Sequence, residues 1–139
     1  MKRILLLLLC TTTLGLVSCK KETIIQETEN RTIIVTIQPS QWKLTADNRT
    51  YNAEISIPEI DQINVDIEGI LVYRDHPVNA GSYIQLPFTF ESQAYSYEQF
   101  NGGLSFDIQD TDFLDNVTPQ KPTLPMQFKV VLIPSRDIT

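Results

Sequence analysis

Tyr95-Ser96-Tyr97-Glu98-Gln99-Phe100-Asn101-Gly102-Gly103-Leu104-Ser105-Phe106-Asp107-Ile108 carries the clearest fold signal in the chain. Tyr95 and Tyr97 alternate with Ser96 and Glu98, and Leu104, Phe106 and Ile108 resume the alternation beyond Asn101-Gly102-Gly103. Period two on both sides of a glycine turn predicts an antiparallel hairpin with one buried face.

Outward from this hairpin the same period continues. Towards the C-terminus, residues 110–125 form an acidic, proline-rich loop, and 126–133 read as the last strand, stopped by Pro134. Towards the N-terminus, Ile84, Leu86, Phe88 and Phe90 share one face of a strand that Pro87, with no N–H to give, breaks or bulges. Residues 74–81 read as a loop, and Gly69 opens the apolar run Ile70-Leu71-Val72-Tyr73, whose pattern predicts a central strand buried on both faces. Within 58–67, Ile60, Ile63 and Ile67 fit a helical face whereas Ile63, Val65 and Ile67 fit a strand; one helical turn followed by extended chain satisfies both. Earlier still, Ile33, Val35 and Ile37, then Trp42 and Leu44, then Tyr51, Ala53, Ile55 and Ile57 read as three strands of a meander, with a turn at 46–49. The expected architecture is all-β, a single sandwich of about eight short, mainly antiparallel strands over residues 32–139.

Composition agrees. A chain of 139 residues with 42% hydrophobic and 9% aromatic side chains is one domain with enough apolar material for a core. No collagen-like or heptad period is present, and there is no internal repeat. A single His and two Cys leave little material for a metal centre or a nucleophilic triad, and no cofactor is expected.

The first 18 residues read as a signal peptide. Met1-Lys2-Arg3 is a basic start, and the apolar stretch that follows is shorter than the roughly 20 residues a spanning helix requires. It ends in Leu16-Val17-Ser18-Cys19, which resembles a bacterial lipobox. That resemblance implies cleavage before Cys19, acylation of its thiol and amine, and an anchor to the membrane through lipid alone. Several acyl chains, at about 0.8 kcal/mol per buried methylene, make such an anchor effectively permanent. Residues 19–31 are then the lipidated Cys and a polar tether, and Cys10 leaves with the signal. Loss of Lys2 and Arg3 leaves nine basic against 17 acidic side chains, a net charge of −8, which argues against nucleic-acid partners.

Lys20-Lys21-Glu22 resembles the export signal of Bacteroidetes-type surface lipoproteins. The Gly-Ile-Leu-Val-Tyr strand, the Leu-Pro-Phe segment and the closing Phe-Lys-Val-Val-Leu-Ile-Pro strand likewise resemble a group of small lipoproteins of that type. The resemblance implies an outer-membrane location, facing the periplasm or the cell surface, and a β-sandwich; it implies no activity.

Three constellations are candidates for chemistry. Asp107, Asp110, Asp112 and Asp115, with Asn116 and Thr118, offer oxygen ligands for Ca²⁺, although neither the glycine nor the closing Glu of an EF-hand is present. Asp75-His76 with Ser82 or Ser105 contains the residue types of a triad. Tyr83, Tyr95, Tyr97 and Phe100 are candidates for an aromatic surface that binds a glycan or protein, the competing expectation being that aromatics at period two fill the core. The sequence as a whole predicts a non-enzymatic, lipid-anchored binding or structural accessory. The alternative is a small surface hydrolase using carboxylates of the 107–116 loop.

Overall fold

The computed structural model describes residues 29–112 and 117–138. Two antiparallel sheets face each other across one apolar layer, an all-β sandwich. One sheet contains β1 (Arg31–Ile37), β4 (Gly69–Asp75), β5 (Tyr83–Gln85) and β9 (Met126–Ile133) in the order β1-β9-β4-β5. The other contains β2 (Lys43–Leu44), β3 (Thr50–Ser56), β6 (Phe88–Phe90), β7 (Gln93–Phe100) and β8 (Gly103–Asp110) in the order β2-β3-β8-β7-β6.

The chain passes between the sheets four times, and proline marks every passage. Pro39 opens a 3-10 turn between β1 and β2, Pro58 follows β3, Pro87 separates β5 from β6, and Pro119, Pro122 and Pro125 precede β9. A residue without an N–H cannot extend a hydrogen-bonded ladder, so each apolar run is cut where it must change sheets. Pro87 therefore does more than bulge one strand: Tyr83–Gln85 pairs with β4, whereas Phe88–Phe90 pairs with β7 in the opposite sheet. The ambiguous segment resolves as a short helix, α1 (Gln62–Asp66), capped by the Asp61 side chain on the Asn64 amide.

The meander expected for the first half is corrected by the pairing. β2 and β3 form a hairpin, but β1 lies against β9, with Arg31 opposite Leu132 and Ile37 opposite Met126. β4 is central, between β9 and β5, yet it buries one face fully and the other only partly.

The core is drawn from alternate positions. Leu104, Phe106 and Ile108 of β8 face Phe128, Val130 and Leu132 of β9 and Ile70 and Val72 of β4. The rings of Phe106 and Phe128 sit 4.3 Å apart across the layer. Tyr97 also joins the sheets, donating its hydroxyl to the Ile70 carbonyl at 2.7 Å; burial holds this phenol above its ordinary pKa of 10.0.

Candidate functional site

One position breaks the apolar alternation. On β4, Ile70, Val72 and Arg74 all point inward, so the third member of a core-facing series is a cation, only 6% exposed. Isolated charge is expensive away from water, and such a side chain needs compensation. Part of it is present. The guanidinium carbon lies 4.7 Å from the Tyr95 ring centroid and 5.7 Å from that of Phe88, and those two rings stack on each other at 4.9 Å. Its Nε donates to the Asp75 carbonyl at 3.1 Å and approaches Asp75 Oδ1 at 3.8 Å. Nη1, however, is buried without a hydrogen-bond partner among the described residues.

Arg74 lines an open cleft of about 410 Å³ at one end of the sandwich. Its walls come from the end of β4 and the loop beyond it, the β6–β7 turn, and the proline-rich segment 120–126. Beside Arg74, Gln93 is buried, accepting from the Tyr95 hydroxyl at 3.0 Å and donating to the Gln120 carbonyl at 2.9 Å, which ties the proline-rich wall to β7. In the β6–β7 turn Glu91 and Ser92 both have positive φ, 47° and 61°, conformations that non-glycine residues adopt at a cost of about 1–2 kcal/mol each. Thr111 holds that turn, its amide donating to the Ser92 carbonyl at 2.8 Å. These bonds tie the proline-rich wall to β7 and the β6–β7 turn to the segment after β8. Lys121 adds a positive charge to its lining, and Asp75 and Glu91 add negative ones.

The four aromatic residues singled out from the sequence do not form one surface. Tyr95 is in the core, against Arg74 and Phe88, and so contributes to the cleft from beneath. Tyr97 is half-buried and spends its hydroxyl on Ile70. Tyr83 belongs to the other sheet, with its hydroxyl on Gln127 at 2.7 Å and Lys129 Nζ over its ring at 4.7 Å. Phe100 is exposed at the end of β7.

The aspartates are also divided. Asp107 accepts from Asn52 Nδ2 at 2.8 Å on the β3–β8 ladder. Asp110 and Asp112 instead line a separate cleft of about 280 Å³ with Asp47 and Arg49, and Asp110 Oδ1 accepts the Asp112 amide at 2.7 Å. Asp115 and Cys19 lie outside the described residues. Among the described residues no group of three or more His, Cys, Asp or Glu side chains is placed to hold a metal ion. The triad residue types are not assembled either: His76 Nδ1 accepts the amides of Val78 and Asn79 at 3.1 Å each, Asp75 Oδ1 accepts the Gln127 amide, and Ser82 donates to the Asn79 carbonyl.

Asp47 gives this second cleft a measurable signature. The Thr45 hydroxyl at 2.6 Å and the Arg49 amide at 3.1 Å both donate to its carboxylate, holding its pKa below the ordinary 3.8, with the hydroxyl the larger cause. A carboxylate with a lowered folded pKa adds stability above its unfolded pKa and loses it as pH falls through the folded value. Thr45→Val is expected to move the Asp47 midpoint up towards 3.8 in a carboxyl-carbon NMR titration; an unmoved midpoint would show that the hydroxyl is not the cause.

The loop expected from residue 74 is corrected here: β4 runs on to Asp75, and Arg74 continues the inward period of Ile70 and Val72. Comparisons with protein-family models, curated proteins and solved structures return no match, so the chemistry of the site rests on its own geometry.

Proposed function

We propose that this protein is a lipid-anchored, non-enzymatic binding module of the bacterial outer membrane, held through Cys19 and presenting the Arg74 cleft to a ligand. The observation that carries this reading is the placement of the cleft relative to the chain entry. β1 begins opposite Leu132 and ends opposite Met126, while β4 runs from Gly69 opposite Ile133 to Arg74 opposite Phe128. The tether therefore enters at one end of the four-stranded sheet and the cleft opens at the other, about 20 Å away at roughly 3.3 Å per strand residue. The cleft is therefore not at the end where the chain enters the domain. The resemblance of residues 16–19 to a lipobox supports the anchor.

The hydrolase alternative has less support. Asp107 and Asp110 are three residues apart on one strand and so leave it on opposite faces. Asp110 shares the second cleft with Asp112 and with Asp47, and Asp47 has its ionised form favoured, the opposite of what a general acid requires.

Replacing Cys19 by Ala in the full chain is expected to abolish incorporation of a fatty-acid analogue and to move the protein from the membrane to the soluble fraction. Continued labelling of the Cys19→Ala protein would refute the lipid site. Glycan and peptide arrays probed with the full chain test the binding role, and a ligand whose capture is indifferent to Arg74 would displace the cleft from it.

A further inference from the structure

We propose that the Arg74 cleft captures the C-terminal carboxylate of a peptide whose last side chain is apolar. This rests on the reading of the domain as a binding module and adds the chemistry of its ligand.

The geometry of the guanidinium selects the group it takes. Tyr95 and Phe88 stand beside it, ring centroids 4.7 and 5.7 Å from its central carbon, and such a contact leaves the N–H donors to be satisfied by another partner. Of these donors Nε is committed to the Asp75 carbonyl, whereas Nη1 is buried with no hydrogen-bond partner among the described residues, so the side chain that lines the cleft keeps unused donor capacity. A carboxylate is a planar acceptor matched to a guanidinium, and its hydrogen bond to a cation away from water is among the stronger ones available to a protein. Asp75 does not already fill the role. Its carboxylate stands 3.8 Å from Nε, is 45% exposed and accepts the Gln127 amide.

The walls set the charge and the polarity of the rest of the ligand. Arg74 and Lys121 are balanced in the lining by Asp75 and Glu91, so a singly charged carboxylate on Arg74 meets less repulsion than a doubly charged phosphate or sulfate would. Val78 and Leu124, 69% and 73% exposed, stand on the cleft with Phe90 and Met126. Such a rim offers cover to an apolar group beside the carboxylate, while the polar groups of the same lining, Gln120, Lys121 and Thr123 among them, suit a peptide backbone. A volume of about 410 Å³ lies at the lower end of ligand sites, suited to the end of a chain.

The test uses the full chain purified in detergent, with acetylated tripeptides ending in Leu, Val or Phe, each as free acid and as C-terminal amide. Titration calorimetry and the Arg74 side-chain nitrogen resonances are the readouts. At least one free acid is expected to bind and to shift Arg74, with its amide at least tenfold weaker. Arg74→Lys is expected to weaken the acid at least tenfold, and Leu124→Asp at least threefold. Should Arg74→Lys fail to fold, the comparison of acid with amide on the unaltered chain still decides. Equal binding of acid and amide, no binding by any of the acids, or tighter binding of galacturonic acid or sulfate would each overturn the proposal. Fractionation of the Cys19→Ala protein and array binding are read independently. Ligand capture without acid–amide discrimination therefore removes the carboxylate site alone, whereas loss of both anchor and capture removes the broader reading.

Discussion

Phe128→Ala is expected to destabilise the domain by about 3–5 kcal/mol, the range for emptying a fully buried phenylalanine site. Phe128 and Phe106 are each 1% exposed and belong to different sheets, with ring centroids 4.3 Å apart and planes inclined at 42°. Their contact joins the two sheets. Removing one ring leaves a cavity that neither sheet can close without moving its whole ladder, because β9 is paired on both sides, to β1 and to β4. Domains of this size are held by about 5–15 kcal/mol, so one truncation takes a large part of the total. Thermal and urea unfolding would show it as a midpoint lower by about 15 °C or more. Phe106→Ala should cost a similar amount, and the double variant less than the sum of the singles, with a coupling of about 0.5–1.5 kcal/mol from the lost ring pair. Strict additivity would mean that the rings do not bear on each other.

The same alternation that makes this core readable also marks the limit of what sequence discloses. Period two tells which face a residue occupies, so Leu104, Phe106 and Ile108 were legible as one buried face, and 126–133 as a strand. It does not tell which strand lies alongside. β1 pairs with β9 from the far end of the chain, and nothing local distinguishes that from the meander its neighbours suggest. The prolines were legible as interruptions, but an interruption reads alike whether the chain bends within a sheet or leaves it, and Pro87 leaves it. For the site, composition drew attention to exposed-seeking groups, tyrosines and clustered aspartates, and spacing along the chain could not show that Tyr83 and Tyr95 lie in different sheets. Arg74 was hidden by its type. A cation beyond an apolar run is the ordinary mark of a strand ending in solvent, and only the facing rings of Phe88 and Tyr95 turn it into a buried group.

Gly103→Ala is expected to cost about 2–4 kcal/mol, more than the same change at Gly102, although a reading of backbone angles alone gives the reverse order. Gly102 has φ +100°, and an alanine there is strained by about 1–2 kcal/mol, but its methyl would meet nothing within 4 Å. Gly103 lies on β8 opposite Ser56 and Phe100, and a methyl group built on it falls on the carbonyl oxygen of Ile55, with the Ile55 carbonyl carbon and Phe100 Cζ both 3.1 Å away. The obstacle is backbone, which has no rotamer to change. Relief requires β3 to draw away from β8 at their shared end. That strains the bonds which fasten the hairpin turn to residues 57–60, from the Ile57 amide to the Gly102 carbonyl and from the Gly102 amide to the Ile60 carbonyl, each 2.8 Å. Overpacking of this kind typically costs 1–3 kcal/mol, and loss of the turn bonds adds to it. Urea unfolding of the two variants side by side measures the order directly. A smaller loss for Gly103→Ala than for Gly102→Ala would mean that β3 does not approach β8 this closely, and that the glycine pair is there for the turn alone.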